Sequence, residues 1–497
     1  MSSSGGSEGE SSLERRLHPV GMLLAALTTV RRWLGAAALP GVAALLGGEY
    51  GARTLFLVLA GLALLGALSA VWGVLSWRAT TYRVAGGTFR FKQGVLQKSE
   101  RSLPLERVQS VNTVQGIVQR LFRVVEVRVE AAGGGGEPEI SLPALSRADA
   151  GTLREELTSA RRVSSEAEEE SRPVVLRRLS GRDLLAAGLT SGQIGVAASV
   201  IAGASQVVDD LLPGDLVGRI AEALVSDYSI SPILLLVLAV ALFAWILSIF
   251  GTVLAHAGFT LSRSADGDYL YVKRGLLKRY ESTVPLARIQ AVRIVEGVLR
   301  KPFGLAAIRV DSAGFAEERG VSTILFPLLP RREAEELLRA AVPQFATPTR
   351  SLQPLPERAR RRYAVRAALP ALLLAAPFAV FLFPWGLFVL LLALPAALYG
   401  LLKYRAAGYG FDGDRFVLRF RRLARMTVVV TRARLQSRAL STSPFQRRKK
   451  LATLQVEVAS GSGGAAFRLV DMNAGAVEAA IEVLSARTGA TARGRSM

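Results

Sequence analysis

Long stretches without a formal charge constrain this chain more than any other feature. Thr54 to Trp77 and Pro232 to Ala255 are each 24 uncharged residues. About 20 consecutive apolar residues cross a hydrocarbon core roughly 30 Å thick, so each stretch predicts a transmembrane helix. Ala367 to Leu402 is uncharged for 36 residues. One helix of that length would be about 54 Å long, too long for a bilayer. Phe383-Pro384-Trp385-Gly386 lies at its middle and predicts a tight turn between two short spans. Trp33 to Gly48 and Leu184 to Val208 are weaker uncharged stretches, each just before a strong one. A buried soluble helix is the competing reading of each, but the pairing predicts three helical hairpins, six spans in all. Met1 to Ser12 is a polar tail without the basic start of a secretory signal, and Val20 to Val30 reads as an interfacial segment.

Charge gives the orientation. Residues 78–185 hold 18 basic and 14 acidic residues, 257–365 hold 19 and 11, and 403–497 hold 18 and 6. The tip of the second hairpin, 209–231, holds one basic and five acidic residues. Basic residues flanking spans stay on the cytoplasmic side. Arg177, Arg178 and Arg182 precede the third span, Arg358 and Arg360 to Arg362 the fifth, and Lys403 and Arg405 follow the sixth. The N and C termini and all three intervening segments are therefore expected in the cytoplasm.

Those three segments repeat. Pro104-Leu-Glu-Arg-Val-Gln109, Pro285-Leu-Ala-Arg-Ile-Gln290 and Thr431-Arg-Ala-Arg-Leu-Gln436 align without gaps with an alternating strand eighteen residues on, at Val127, Ile308 and Leu454. Gly116, Arg120 and Phe122 lie between in the first copy, and Gly297, Arg300 and Phe303 in the second. Each copy opens with a short strand (Thr88–Lys92, Tyr269–Lys273, Phe416–Phe420) and closes with a helical pattern (148–160, 331–342, 474–487). Short strands and one amphipathic helix predict a small β-barrel capped by that helix. The predicted class is an α+β membrane protein. Its order is tail and interfacial segment 1–32, hairpin 33–77, domain 78–162, linker 163–183, hairpin 184–256, domain 257–345, linker 346–365, hairpin 366–402, diverged domain 403–488 and tail 489–497.

Hairpins alternating with Pro-Leu-x-Arg-[Val/Ile]-Gln domains, with Leu17-His18-Pro19 before the first, resemble the bacterial membrane-flanked PH-like family, also called DUF304 or bacterial PH domain type 2. The resemblance is to its three-domain members and covers all but the N-terminal tail. It implies PH-like domains, a bacterial cell (inner) membrane location, no established enzymatic activity and a shorter membrane protein of the same family as partner. The third copy departs from the pattern. Thr431-Arg432 replaces Pro-Leu, Ser443 replaces the glycine, and Lys449 stands at the place of Phe122 and Phe303. If that segment is helical, Phe445 covers the same core site from one turn away.

The sharpest basic cluster is Arg447-Arg448-Lys449-Lys450, with Arg419, Arg421, Arg422 and Arg425 near it in sequence. Against an anionic leaflet such residues attract headgroups at about 1 kcal/mol each; a solvated face set by positive-inside bias is the other reading. The repeated Pro104, Arg107, Gln109, Pro285, Arg288, Gln290, Arg434 and Gln436 read as a structural motif tying a turn to the barrel, or else as an interaction site. Zero cysteines and two histidines, with no phosphate-binding loop or metal spacing, leave no catalytic, cofactor or metal residue to name. His256 is expected at the membrane interface. Glu166 to Glu170 reads as a solvated linker and Gly133 to Gly136 as a hairpin loop. Nucleic acid is not expected as a partner, because the spans account for the basic residues. The reading is a non-enzymatic scaffold presenting three cytoplasmic domains to protein partners, to anionic lipid headgroups of the bilayer or to other subunits of an oligomer. A transporter or pore subunit is the alternative, resting on Thr190, Ser191, Gln193, Ser199 and Ser205 in the third span.

Overall fold

The computed structural model describes residues 14–30, 52–131, 139–159, 173–190, 230–312, 323–349, 352–381, 383–460 and 464–485. The chain divides into two compact units, and the division falls between Val284 and Pro285.

The first unit opens with β1 (Arg15–Arg16) and a helix, α1 (Val20–Val30), followed by α2 (Ala52–Arg78). Strands β2 (Thr81–Ala85), β3 (Thr88–Gln93) and β4 (Ser99–Pro104) pair antiparallel with β1 in the order β1-β2-β3-β4. β5 (Val108–Gln115), the short helix α3 (Ile117–Leu121), β6 (Val124–Ala131), β7 (Ile140–Ser146) and the helix α4 (Arg147–Ser159) complete the first repeat. Alternation along the strands turns Phe89, Leu103, Val111, Val127 and Leu142 inward, where α4 meets them with Leu153 and Leu157. β8 (Val174–Arg178), α5 (Gly181–Leu189), α6 (Ile230–His256), β9 (Thr260–Arg263), β10 (Tyr269–Arg274) and β11 (Arg279–Pro285) follow.

The second repeat does not keep its strands to itself. β11 pairs antiparallel with β5, so one seven-stranded sheet runs β7-β6-β5-β11-β10-β9-β8 through parts of two repeats. The unit boundary falls inside the second repeat for this reason.

The second unit repeats the arrangement. β12 (Ile289–Glu296), β13 (Leu305–Ser312), β14 (Thr323–Pro330) and α7 (Ala334–Ala341) close the second repeat. β15 (Gln353–Pro354), α8 (Arg358–Phe381) and a 3-10 segment running into α9 (Ala393–Ala406) lead to β16 (Gly408–Asp412), β17 (Arg415–Arg421) and β18 (Arg425–Thr431). The sheet order is β14-β13-β12-β18-β17-β16-β15. β19 (Leu435–Ser441), α10 (Pro444–Arg447), β20 (Leu451–Val458), β21 (Ala465–Asn473) and α11 (Ala474–Ser485) end the third repeat, with sheet order β19-β20-β21. Its core joins Phe416, Leu418 and Val428 to Leu454, Phe467 and Leu469, covered by Val477 and Leu484 of α11.

Two helices among the described residues are long and apolar enough to cross a membrane, Arg358–Phe381 and Gly386–Ala406, against an expected six. They pack closely. A Cβ on Gly400 would lie 2.3 Å from the Tyr363 carbonyl oxygen. α2 and α6 occupy two other strong stretches as 27-residue helices. Their apolar portions include Ala63–Arg78 and Ala241–His256. The weak stretches, at 33–48 and for the most part at 191–208, lie outside the described residues, as do the Glu166–Glu170 linker and the Gly133–Gly136 loop.

Candidate membrane-facing site

Two helix ends are stitched to β-turns. After α6, Gly275 and Leu276 in the β10–β11 turn donate backbone N–H groups to the carbonyls of Ala257 and Leu254, both at 2.9 Å. This turn needs glycine, because Gly275 has φ +101° and a Cβ there would meet the Lys278 carbonyl oxygen. In the third repeat, the Tyr399 hydroxyl of α9 donates to the Arg422 carbonyl in the β17–β18 turn. The turns tied to helix ends carry exposed leucines: Leu276, Leu277 and Leu423, the last 74% exposed. The corresponding turn of the first repeat carries Leu96.

A second element reaches the same end. The short helix after β5 exposes Ile117, Leu121 and Phe122, and the turn after β12 exposes Val298, Leu299 and Phe303. Arg120 donates to the Leu276 carbonyl, so the tip of repeat one touches the helix-linked turn of repeat two. In the second unit, Lys301 lies in the fields of Arg421 and Arg425, so the tip of repeat two sits beside the turn of repeat three. Burial, then Arg421 and Arg425, hold the Lys301 ammonium below the ordinary lysine range. Arg425 also forms a bidentate pair with the buried Glu296, with Nε 2.6 Å from Oε2. Each internal joint thus builds one patch of exposed Leu, Val or Phe among Arg and Lys.

The third tip is the short helix α10. Ser443 and Gln446 close its N-terminus as a capping box. Phe445 is 68% exposed, and Arg447, Arg448, Lys449 and Lys450 are all exposed beside it. Gln446 turns inward and donates to Asp471 Oδ1 at 2.8 Å. Asp471 is fully buried at φ +61°. It also accepts from Arg362 at 3.2 Å and Arg366 at 2.9 Å, both on α8. Arg358 at the start of α8 donates to the Lys450 carbonyl, and Tyr363 to that of Val470. One buried carboxylate therefore ties the basic run to the charged end of a membrane-length helix.

Several expectations change. Phe122, Phe303 and Phe445 do not fill a core site; they are 40%, 73% and 68% exposed. The chain turns them outward because the inward place is taken by a polar side chain. Gln119 donates to the Pro143 carbonyl, Arg300 to that of Pro327, and Gln446 to Asp471. Arg300 thus corresponds to Gln119, not to Arg120. Burial, then Arg309, pushes the Arg300 guanidinium down to about 10. His256 is buried against Phe259. The two basic clusters of repeat three have different neighbours: Arg421 and Arg425 face Lys301, whereas the 447–450 run adjoins Arg358.

The repeated motif lies at the turn between strands. Gln290 is buried and donates to the Arg288 carbonyl at 3.0 Å, and Ser312 donates to the same oxygen. Pro285 is buried, Pro104 and Arg107 are exposed, and Arg434 is half-buried. Gln436 is exposed, so the motif's buried geometry is not repeated in the third copy. Gln109 is the second residue of β5. Among the described residues, no group of three or more His, Asp or Glu side chains is placed to hold a metal ion.

The bacterial PH domain model matches residues 23–161, 215–342 and 367–488. The UPF0699 transmembrane protein YdbT of Bacillus subtilis (strain 168) is 32% identical over 410 residues, covering 78% of this chain and 81% of that protein. No solved structure matches the chain. Three matched regions, each holding one Arg-x-Gln turn and one exposed tip, place the chain in the bacterial PH domain family, in a form similar to a transmembrane protein.

Proposed function

We propose that the protein is a non-enzymatic membrane scaffold in the bacterial cell membrane. Its hairpins hold three PH-like repeats against the cytoplasmic leaflet, where apolar tips enter the interface and flanking cations attract anionic headgroups. The far ends of the repeats are presented to protein partners, including a shorter membrane protein of the same family. One observation carries this reading: the exposed Leu and Phe residues of the turns and tips share their ends of the repeats with the helix termini and with Arg and Lys. Apolar side chains ringed by cations are suited to the boundary between headgroups and acyl chains.

Two measurements test it. The purified chain in nanodiscs is expected to retain phosphatidylglycerol over phosphatidylcholine, and to lose that preference when Arg421, Arg422 and Arg447 to Lys450 become serine. In intact cells, an impermeant maleimide is expected to label Asp266→Cys only after permeabilisation. Equal lipid retention by both chains would remove the lipid role, and labelling without permeabilisation would reverse the orientation.

A further inference from the structure

The two internal joints have one register. In the first, Gln115 of β5 faces Arg279 of β11; in the second, Glu296 of β12 faces Arg425 of β18. Gln115 and Glu296 each lie six residues after the motif glutamine of their repeat, and Arg279 and Arg425 each lie six before the motif's first residue. The joint is therefore a repeated device, in which the strand after the motif of one repeat pairs with the strand before the motif of the next. Two strands of these sets remain at sheet edges. β19 ends the order β19-β20-β21, and β4 ends the order β1-β2-β3-β4.

We propose that β19 of one copy of this chain pairs with β4 of a second copy in this same register, joining copies head to tail. The register sets Thr442 opposite Lys98, Ser441 opposite Ser99, Leu440 opposite Glu100 and Ala439 opposite Arg101. A cation thus stands where Arg279 and Arg425 stand in the internal joints. No like charges face one another, and Arg438, whose guanidinium also donates to the Leu484 carbonyl of its own repeat, lies diagonal to Glu100 on one face.

The third composite patch is incomplete without this partner. The tip with Phe445 and Arg447 to Lys450 belongs to the third matched repeat, and neither of the other two matched repeats pairs a turn strand with its β19 edge. The turn with Leu96, 87% exposed, belongs to the first matched repeat, whose β4 is a sheet edge. Pairing β19 with β4 brings this tip and this turn together, as β5 with β11 brings Arg120 to Leu276. The contact is heterologous, and copies close into a ring or extend as a row. Charged residues on both edges, Glu100, Arg101 and Arg438, restrict pairing with unrelated strands. The proposal does not depend on lipid contact.

The absence of cysteine makes the test clean. Two differently tagged full-length copies, one Ser441→Cys and one Ser99→Cys, are co-expressed and mildly oxidised in native membranes. The expected product is a disulfide-linked pair carrying both tags. Glu100→Cys in place of Ser99→Cys points to the other face of β4 and is expected to cross-link at least about tenfold less. A single chain carrying Ser99→Cys and Ser441→Cys is expected to give a ladder of linked copies. Neither substitution removes a core side chain, so loss of folding does not confound the result. Equal cross-linking by Ser99→Cys and Glu100→Cys, no linked pair, or trapping of Ser441→Cys on a shorter PH-like membrane protein instead would overturn the proposal.

Discussion

Arg366 of α8 donates through Nη2 to Oδ2 of the fully buried Asp471 across 2.9 Å. With Arg362 on the other oxygen, this is a rigid link between a membrane-length helix and a PH-like core. Asp471→Ala removes the shared anion and the acceptor for Gln446. Losing one side of a buried pair costs about 3–5 kcal/mol. The lower end applies, because the Arg366 side chain is 48% exposed and regains water. Asp471→Asn keeps an acceptor and tolerates the positive φ, so its loss is expected to be smaller. Thermal unfolding in detergent, followed by near-ultraviolet circular dichroism, orders the three proteins.

Gly400 sets the approach of α9 to α8. An added Cβ would stand 2.3 Å from the Tyr363 carbonyl oxygen and 2.9 Å from the Ala364 Cα, both backbone atoms that cannot rotate away. Small residues at such crossings let helix backbones touch. Gly400→Ala is expected to push the hairpin apart at about 1–3 kcal/mol. Distances between spin labels at Leu373 and Leu394, measured in wild type and variant, report the separation.

Lys301 is a reporter for headgroup binding. Its pKa is lowered first by burial and then by Arg421 and Arg425. A lowered ammonium pKa means that the charged form opposes folding at neutral pH, and that this penalty is relieved as pH rises through the folded-state value. Anionic headgroups that neutralise the two arginines favour the charged form. The resonance of 13C-methylated Lys301, assigned by Lys301→Arg, is expected to titrate at higher pH in anionic than in zwitterionic nanodiscs.

The exposed run Arg447 to Lys450 is expected to contribute to lipid retention in proportion to its charge. At about 1 kcal/mol per residue near an anionic surface, four alanines remove up to about 4 kcal/mol. The difference between wild type and variant shrinks as salt shortens the screening length below about 8 Å. Lipid carried through native mass spectrometry at two ionic strengths gives both quantities.

The sequence carried the repeats because strand alternation and the motif spacing are local signals. It placed Thr88–Lys92 and Tyr269–Lys273 where β3 and β10 run. It did not carry the sheet joints, since pairing Gln115 with Arg279 spans 164 residues and leaves no local period. It misplaced Phe122, Phe303 and Phe445 because an isolated aromatic in a short helix reads the same facing inward or outward. The polar residue that takes the inward place, Gln119, Arg300 or Gln446, is neither apolar nor constant in type. Asp471 was hidden for a related reason: one aspartate after a strand shows no sign of the two arginines, more than 100 residues away, that it binds.

Depth in the bilayer tests the central claim most directly. Spin labels at Asp266→Cys, Leu277→Cys, Phe303→Cys and Phe445→Cys are placed one at a time in the otherwise cysteine-free chain. β10, six residues and roughly 20 Å long, separates Asp266 from the helix-linked turn that holds Leu277. The account gives Leu277, Phe303 and Phe445 higher collision rates with oxygen than with a nickel chelate, and Asp266 the reverse. Four labels equally open to the nickel chelate would contradict it.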